Sequence, residues 1–135
     1  MFKVFKELND DIRYIRDAVF VKEQGFNDEF DIIDESCFHL VFYENNKPVA
    51  TCRYFQENGI YHIGRVSVLK KFRGLNIGNR IMQFAENEIK KSGGKSIEVS
   101  AQVRIKDFYT KLGYVEQGEI YLDEFCEHIK MVKVL

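Results

Sequence analysis

Apolar and polar residues alternate over residues 2–7, which predicts a first strand. Asn9 then precedes Ile12, Ile15 and Val19, which are spaced to form one face of a helix, with Asn9 placed to cap it. A polar, acidic loop follows over residues 27–36. The runs 37–44, 49–56 and 60–69 are separated by the turn residues Asn45-Asn46-Lys47-Pro48 and Glu57-Asn58-Gly59, and they read as an antiparallel meander. Helical periodicity returns over residues 77–89, then a Gly93-Gly94 turn leads to an alternating strand over 96–101. Ile105, Phe108, Tyr109 and Leu112 lie at helical spacing ahead of Gly113, a C-terminal cap. Two further strands, about 115–121 and 128–135, close the chain. The pattern predicts one domain over residues 1–135, an α/β (α+β) fold with a mixed, mostly antiparallel sheet of about six or seven strands flanked by helices.

The stretch Arg73-Gly74-Leu75-Asn76-Ile77-Gly78-Asn79 links the strand at 60–69 to the helix at 77–89. A helix start leaves backbone N–H groups unpaired at the positive end of the peptide dipoles, and glycine lets the chain approach a ligand closely, so this turn suits a pyrophosphate. Lys70, Lys71, Arg73 and Arg80 add positive charge around it. The spacing is neither that of a P-loop nor that of the dinucleotide fingerprint. Arg73, Asn76 and Gly78 instead resemble the acetyl-CoA-binding motif Arg/Gln-x-x-Gly-x-Gly/Ala of the GNAT superfamily of N-acetyltransferases. Asn76 stands where Gly is usual, and Asn is the non-Gly residue that best accepts positive φ. Phe108-Tyr109-Thr110-Lys111-Leu112-Gly113-Tyr114 is similar to a second signature of the same family, Phe-Tyr-x-x-x-Gly-Phe/Tyr. Val19-Phe20-Val21-Lys22-Glu23-Gln24, Ala101-Gln102 and His128-Ile129-Lys130-Met131 look like the ElaA-type subgroup of small bacterial GNAT proteins.

Composition narrows the classes. The chain has 135 residues, 45% hydrophobic and 30% charged, with one Pro, which fits a single folded domain. Its net charge of −1 argues against general nucleic-acid binding. Cys37, Cys52 and Cys126 are odd in number and lack zinc-type spacing, so no metal site is expected. With no apolar run of membrane length and no leader-like segment, the expectation is a cytoplasmic protein with reduced thiols and no membrane partner. A homodimer is compatible with the fold, and no residue decides it.

Moving an acetyl group from a thioester to an amine requires proximity, deprotonation of an ammonium whose pKa is about 10.4, an oxyanion donor, and a proton for the leaving thiolate. The resemblance implies that backbone groups of Val66, Ser67 and Val68 pair with the pantetheine arm, with the Val68 N–H as oxyanion donor. It implies further that the main chain from Arg73 through Gly74, Leu75, Asn76, Ile77, Gly78 and Asn79 holds the pyrophosphate of acetyl-CoA. Tyr109 is the candidate general acid, since a phenol is protonated at working pH. No carboxylate lies between Ile60 and Leu69, which leaves His128, then His62, then His39 as candidate bases. Strict alternation puts His62 on one face with Ile60, Gly64, Val66 and Val68. A bulge would change that register. Cys126 and His128, two residues apart, also form a nucleophile–base pair on paper, but no third orienting residue is evident. The acidic segment containing Glu23, Asp28, Glu29, Asp31, Asp34 and Glu35 would either favour a cationic acceptor or form a hydrated loop. Glu23 and Gln24 are placed nearest the acceptor pocket. The expected activity is acetyl-CoA-dependent N-acetylation of a primary amine on a small molecule or peptide. The alternative is a catalytically silent acyl-CoA-binding module of the same fold.

Overall fold

A computed structural model describes residues 1–135. Seven strands form one sheet in the order β1-β2-β3-β4-β5-β7-β6, with β1 Phe2–Phe5, β2 Phe38–Glu44, β3 Lys47–Glu57, β4 Ile60–Val68, β5 Ser96–Gln102, β6 Val115–Asp123 and β7 Cys126–Val134. Every neighbouring pair is antiparallel except β4 with β5. The sheet is therefore mixed and mostly antiparallel, as the alternation implies. The meander expected over β2, β3 and β4 is present.

Helix α1, Asp10–Arg16, begins where the Asn9 side chain accepts the Ile12 N–H at 2.9 Å. It buries Ile12 and Ile15 against one face of the sheet, in a cluster that also holds Val19, Phe20, Phe26 and Val41. The helix does not stop at Arg16. It widens into a π-helical turn over Asp17–Glu23, a geometry concentrated at functional sites. Helix α2, Ile77–Lys91, turns Ile77, Ile81, Met82, Ala85 and Ile89 onto the opposite face. There they form the main core with Leu40, Cys52, Ile63, Ile97, Val99 and Met131. The short helix α3, Lys106–Lys111, follows a 3-10 turn at Val103–Ile105 and adds Tyr109 to that core.

Two details depart from the sequence pattern. Asn45 and Asn46 both take positive φ, 50° and 64°, so they alone make the β2–β3 hairpin, and Pro48 belongs to β3 rather than to the turn. It is accommodated opposite Tyr43, at an irregularity in the β2–β3 register. In β4 a bulge breaks the alternation: Thr51 and Arg53 of β3 oppose Ser67 and Gly64, so β4 carries one residue more, and Arg65 sits there at φ 52°. Val66 and Val68 consequently pack on the main core with Ile63. The extra residue removes His62 and Gly64 from the face they were expected to share with those valines.

Candidate active site

The parallel pairing of β4 with β5 runs only from Tyr61↔Ile97 to Ile63↔Val99. Beyond it the two strands diverge. The Leu69 N–H bonds back to the Val49 carbonyl at 2.9 Å, whereas the Val68 carbonyl points the other way and accepts from Arg73 Nε at 3.0 Å. On an extended strand the N–H and C=O of one residue point to the same side, so the Val68 N–H also faces the gap.

Three contiguous depressions follow that gap. The outermost, about 450 Å³, lies at the start of α2 among Val68, Arg73, Gly74, Asn76, Gly78 and Asn79. Its middle neighbour, about 290 Å³, is walled by Glu23, Gln24, Val66, Ser67, Arg104 and Phe108. The innermost, about 90 Å³, reaches Gly64, Ser100, Gln102, His128 and Glu124. Tyr109 lines both the middle and the inner part.

At the outer end Asn76 takes φ 66° and ψ 13°, the left-handed conformation its side chain tolerates. Its Oδ1 accepts a hydrogen bond from Asn79 Nδ2. Helix α2 has no side-chain cap and no acid in its first turn, so its leading amides are not occupied by the protein's own oxygens. Gly74 takes φ 80° with nothing near a notional Cβ, and Gly78 lies tight against Phe108. This open, donor-rich cradle, with no carboxylate in its lining, fits a pyrophosphate. Leu75 is exposed, and Ile77 is buried in the core. Arg73 is exposed, and its guanidinium is gripped by Glu23 at 2.6 and 2.7 Å. Those hydrogen bonds hold the Glu23 carboxyl below its usual range. Arg80 lies over the Phe42 ring, 4.7 Å from its centroid.

At the inner end Tyr109 is 6% exposed, its hydroxyl has no protein partner, and burial pushes its pKa well above the ordinary phenol value. His128 is equally buried. Its Nδ1 lies 3.0 Å from the Cys126 carbonyl, which fixes that nitrogen as the N–H donor and leaves Nε2 as an acceptor with no protein partner. Tyr121 stacks on the imidazole and Phe26 meets it edge-on. Gln24 accepts from Gln102 Nε2 at 2.8 Å and separates the inner from the middle space. His62 lies elsewhere. It sits where β4 and β5 are still paired, stacked on Phe55 and 3.7 Å from Glu98 Oε2, beside a different depression. His39 is fully buried against Cys37 and the Asp34 carbonyl. Cys126 Sγ contacts the Glu127 carbonyl and not His128.

Most of the acidic segment is neither a hydrated loop nor a free cation site. Arg16 is 1% exposed and binds Glu29 and Asp34, while Arg53 binds Asp31 and Asp34. Arg65 reaches Glu29 and Asp31. Burial alone would raise the Asp34 carboxyl, but hydrogen bonds from Arg16 and the Asp31 amide outweigh it and hold it well below the usual carboxylate range. Residues the sequence pattern did not single out complete the site. Arg65 roots the loop, and the Glu124 carboxylate accepts the Asn27 and Asp28 amides across the cleft. An acidic pair at a hairpin turn, Asp123-Glu124, was the only available sign of that latch.

Comparison with known proteins agrees with this geometry. A family model described as "Acetyltransferase (GNAT) domain" matches residues 10–135. Bacillus subtilis "Uncharacterized N-acetyltransferase YjcF" is 33% identical over 126 residues, covering 91% of this chain and 90% of that protein. The crystal structure of Escherichia coli ElaA superposes with a TM-score of 0.84 at 26% identity, covering 98% of each chain. An acyl-CoA N-acyltransferase from Pseudomonas aeruginosa shares the fold, with a TM-score of 0.86 at 24% identity and 98% coverage of both chains.

Proposed function

This chain belongs to the GNAT acetyltransferase family, and from that premise we propose that it moves an acetyl group from acetyl-CoA directly to a primary amine. The observation that carries the reading is the gap between β4 and β5, which joins a cradle fit for a pyrophosphate to two buried side chains, Tyr109 and His128, each with one polar atom free of protein partners.

In this reading the amides at the start of α2 hold the pyrophosphate, and Val66 and Val68 offer main-chain groups to the pantetheine arm. His128 Nε2 accepts the proton that the attacking ammonium must lose, its acceptor tautomer being set by the Cys126 carbonyl. The new N–C bond forms as the C–S bond breaks. The Val68 N–H stabilises the carbonyl oxygen as it gains charge. Tyr109, protonated because burial disfavours its phenolate, gives its proton to the departing thiolate. Glu23 and Gln24 stand at the junction, Glu23 by orienting Arg73 and Gln24 by bonding Gln102.

The test is a calorimetric titration with acetyl-CoA at low and higher salt, followed by an amine screen. The expected result is saturable, salt-weakened binding that Arg73→Ala reduces. No detectable binding at millimolar ligand would remove the donor, and with it the transferase reading.

A further inference from the structure

Three cations, Arg16, Arg53 and Arg65, face three carboxylates, Glu29, Asp31 and Asp34, so the buried network is neutral as a unit. Asp28, Asp123 and Glu124 also line the inner depression, and none of the three has a cationic partner. Glu124 accepts its hydrogen bonds from neutral backbone amides, at 3.0, 3.2 and 3.1 Å, which orient the carboxylate without cancelling its charge. The rim is thus negatively charged, and the floor holds His128 and Tyr109, each 6% exposed with a polar atom that no protein group satisfies.

The strand register sets a distance between rim and floor. Tyr121 pairs with His128 and Asp123 with Cys126, so Asp123 shares the face of His128 and lies two paired rows nearer the hairpin turn. Two residues along a strand span about 6.6 Å and the neighbouring strand lies about 4.8 Å across, so the diagonal from Asp123 to His128 is roughly 8 Å between backbones. The Phe26 ring covers this interval, with its centroid 6.5 Å from that of His128 and 5.0 Å from that of Phe125. An acid without a cationic partner, an aromatic wall and an imidazole whose Nε2 is free therefore share one depression.

Resting on the transferase reading above, we propose that the acceptor is an α,ω-diamine with a four- or five-carbon spacer. One amine reacts beside His128, the methylenes pass along Phe26, and the second amine, as an ammonium, is held by Asp123 with Asp28 and Glu124 at the rim. The charged end supplies selectivity and takes no part in the chemistry.

The experiment compares 1,5-diaminopentane, n-pentylamine and 5-aminopentanoate. Each is titrated into the protein saturated with CoA, which reads the acceptor site without chemistry, and each is then assayed for N-acetyl product. The diamine is expected to bind about tenfold more tightly than the monoamine, the sum of a few weak exposed charge contacts. The amino acid should bind weakest. Asp28→Asn combined with Asp123→Asn should erase the preference while acetyl-CoA affinity and Tm stay unchanged. Equal binding of the three amines, or a preference that survives the double variant, would overturn the proposal. Acetylation of all three alike would also overturn it and leave the transferase reading standing. Selective diamine binding without product would support the diamine site and remove the transferase reading.

Discussion

A Cβ on Gly78 would lie 3.2 Å from Cε1 and 3.3 Å from Cζ of Phe108, so the two family signatures of this chain meet in van der Waals contact. Gly78 opens α2 at the cradle, and Phe108 forms the facing wall from α3.

Gly78→Ala therefore sets helix propensity against space. Alanine favours the helix by about 1 kcal/mol, but the Phe108 ring must move into the cleft to admit the methyl. The expected outcome is nearly unchanged thermal stability with acetyl-CoA affinity reduced about tenfold, read by calorimetry. Phe108→Leu in the same background should recover part of the affinity, a non-additivity expected of touching residues.

Tyr109→Phe removes one oxygen from a buried ring. We expect kcat to fall by about 100-fold or more, the usual weight of a positioned acid, with acetyl-CoA binding retained. Steady-state kinetics beside a binding isotherm check this. Unchanged turnover would assign Tyr109 to packing alone.

Glu23→Gln should weaken acetyl-CoA binding in the same direction as Arg73→Ala. Glu23 is the partner that aims the Arg73 guanidinium beneath the Val68 carbonyl. The double variant should cost little more than Arg73→Ala alone, because both changes act through one guanidinium. Calorimetry on the three variants reads the coupling.

Asp34 ties stability to pH. Its folded pKa is depressed, so its contribution is fully present above the unfolded value of about 3.9 and is lost as pH falls toward the folded one. Glu29 has the opposite sign: burial raises its carboxyl, so folded stability falls as pH rises from its unfolded value toward its folded one. Asp34→Asn should destabilise by about 3 kcal/mol or more at neutral pH, because it leaves the buried network of three arginines with only two carboxylates, Glu29 and Asp31. It should also flatten the loss of Tm below about pH 4. Thermal melts across pH give both numbers.

Tyr114→Phe tests a second buried contact, one layer behind the cleft, where the Tyr114 ring packs edge-on against Tyr109. The Tyr114 hydroxyl donates to Glu86 at 2.7 Å, and the same carboxylate meets Lys133 at 2.9 Å. Removing the hydroxyl leaves a buried acceptor half-satisfied, at a cost of about 1–3 kcal/mol in a denaturant titration.

Much of this molecule was legible because its elements are short and locally encoded. The Ile77, Ile81, Ala85 and Ile89 stripe dictates α2, Asn9 caps α1, and Asn58-Gly59 turns β3 into β4. Arg73 to Gly78 and Phe108 to Gly113 locate the cradle and the facing helix. What could not be read is what depends on partners distant in sequence. The bulge at Arg65 inverts the facing of β4, and Gly64 beside it gives no sign of which residue takes the positive φ, so His62 turns toward Phe55 and Glu98. The carboxylates at 29, 31 and 34 look like solvated charges until Arg16, Arg53 and Arg65 arrive from three other elements. The π-helical widening after Arg16, which brings Glu23 to Arg73, has no periodicity of its own.

The brevity of the β4–β5 pairing has a consequence in time. Strands β1 to β4 join neighbours in chain order, and all lie ahead of residue 69, so they are able to assemble as the chain emerges. Strand β7 follows the other six in the chain, yet it is inserted between β5 and β6. The C-terminal block is thus completed only once β7 has been made, and it is stitched to the earlier one by three parallel residue pairs. The cleft lies on that seam and takes shape after both halves exist, so a nascent chain has no site to fill until β7 has joined the sheet.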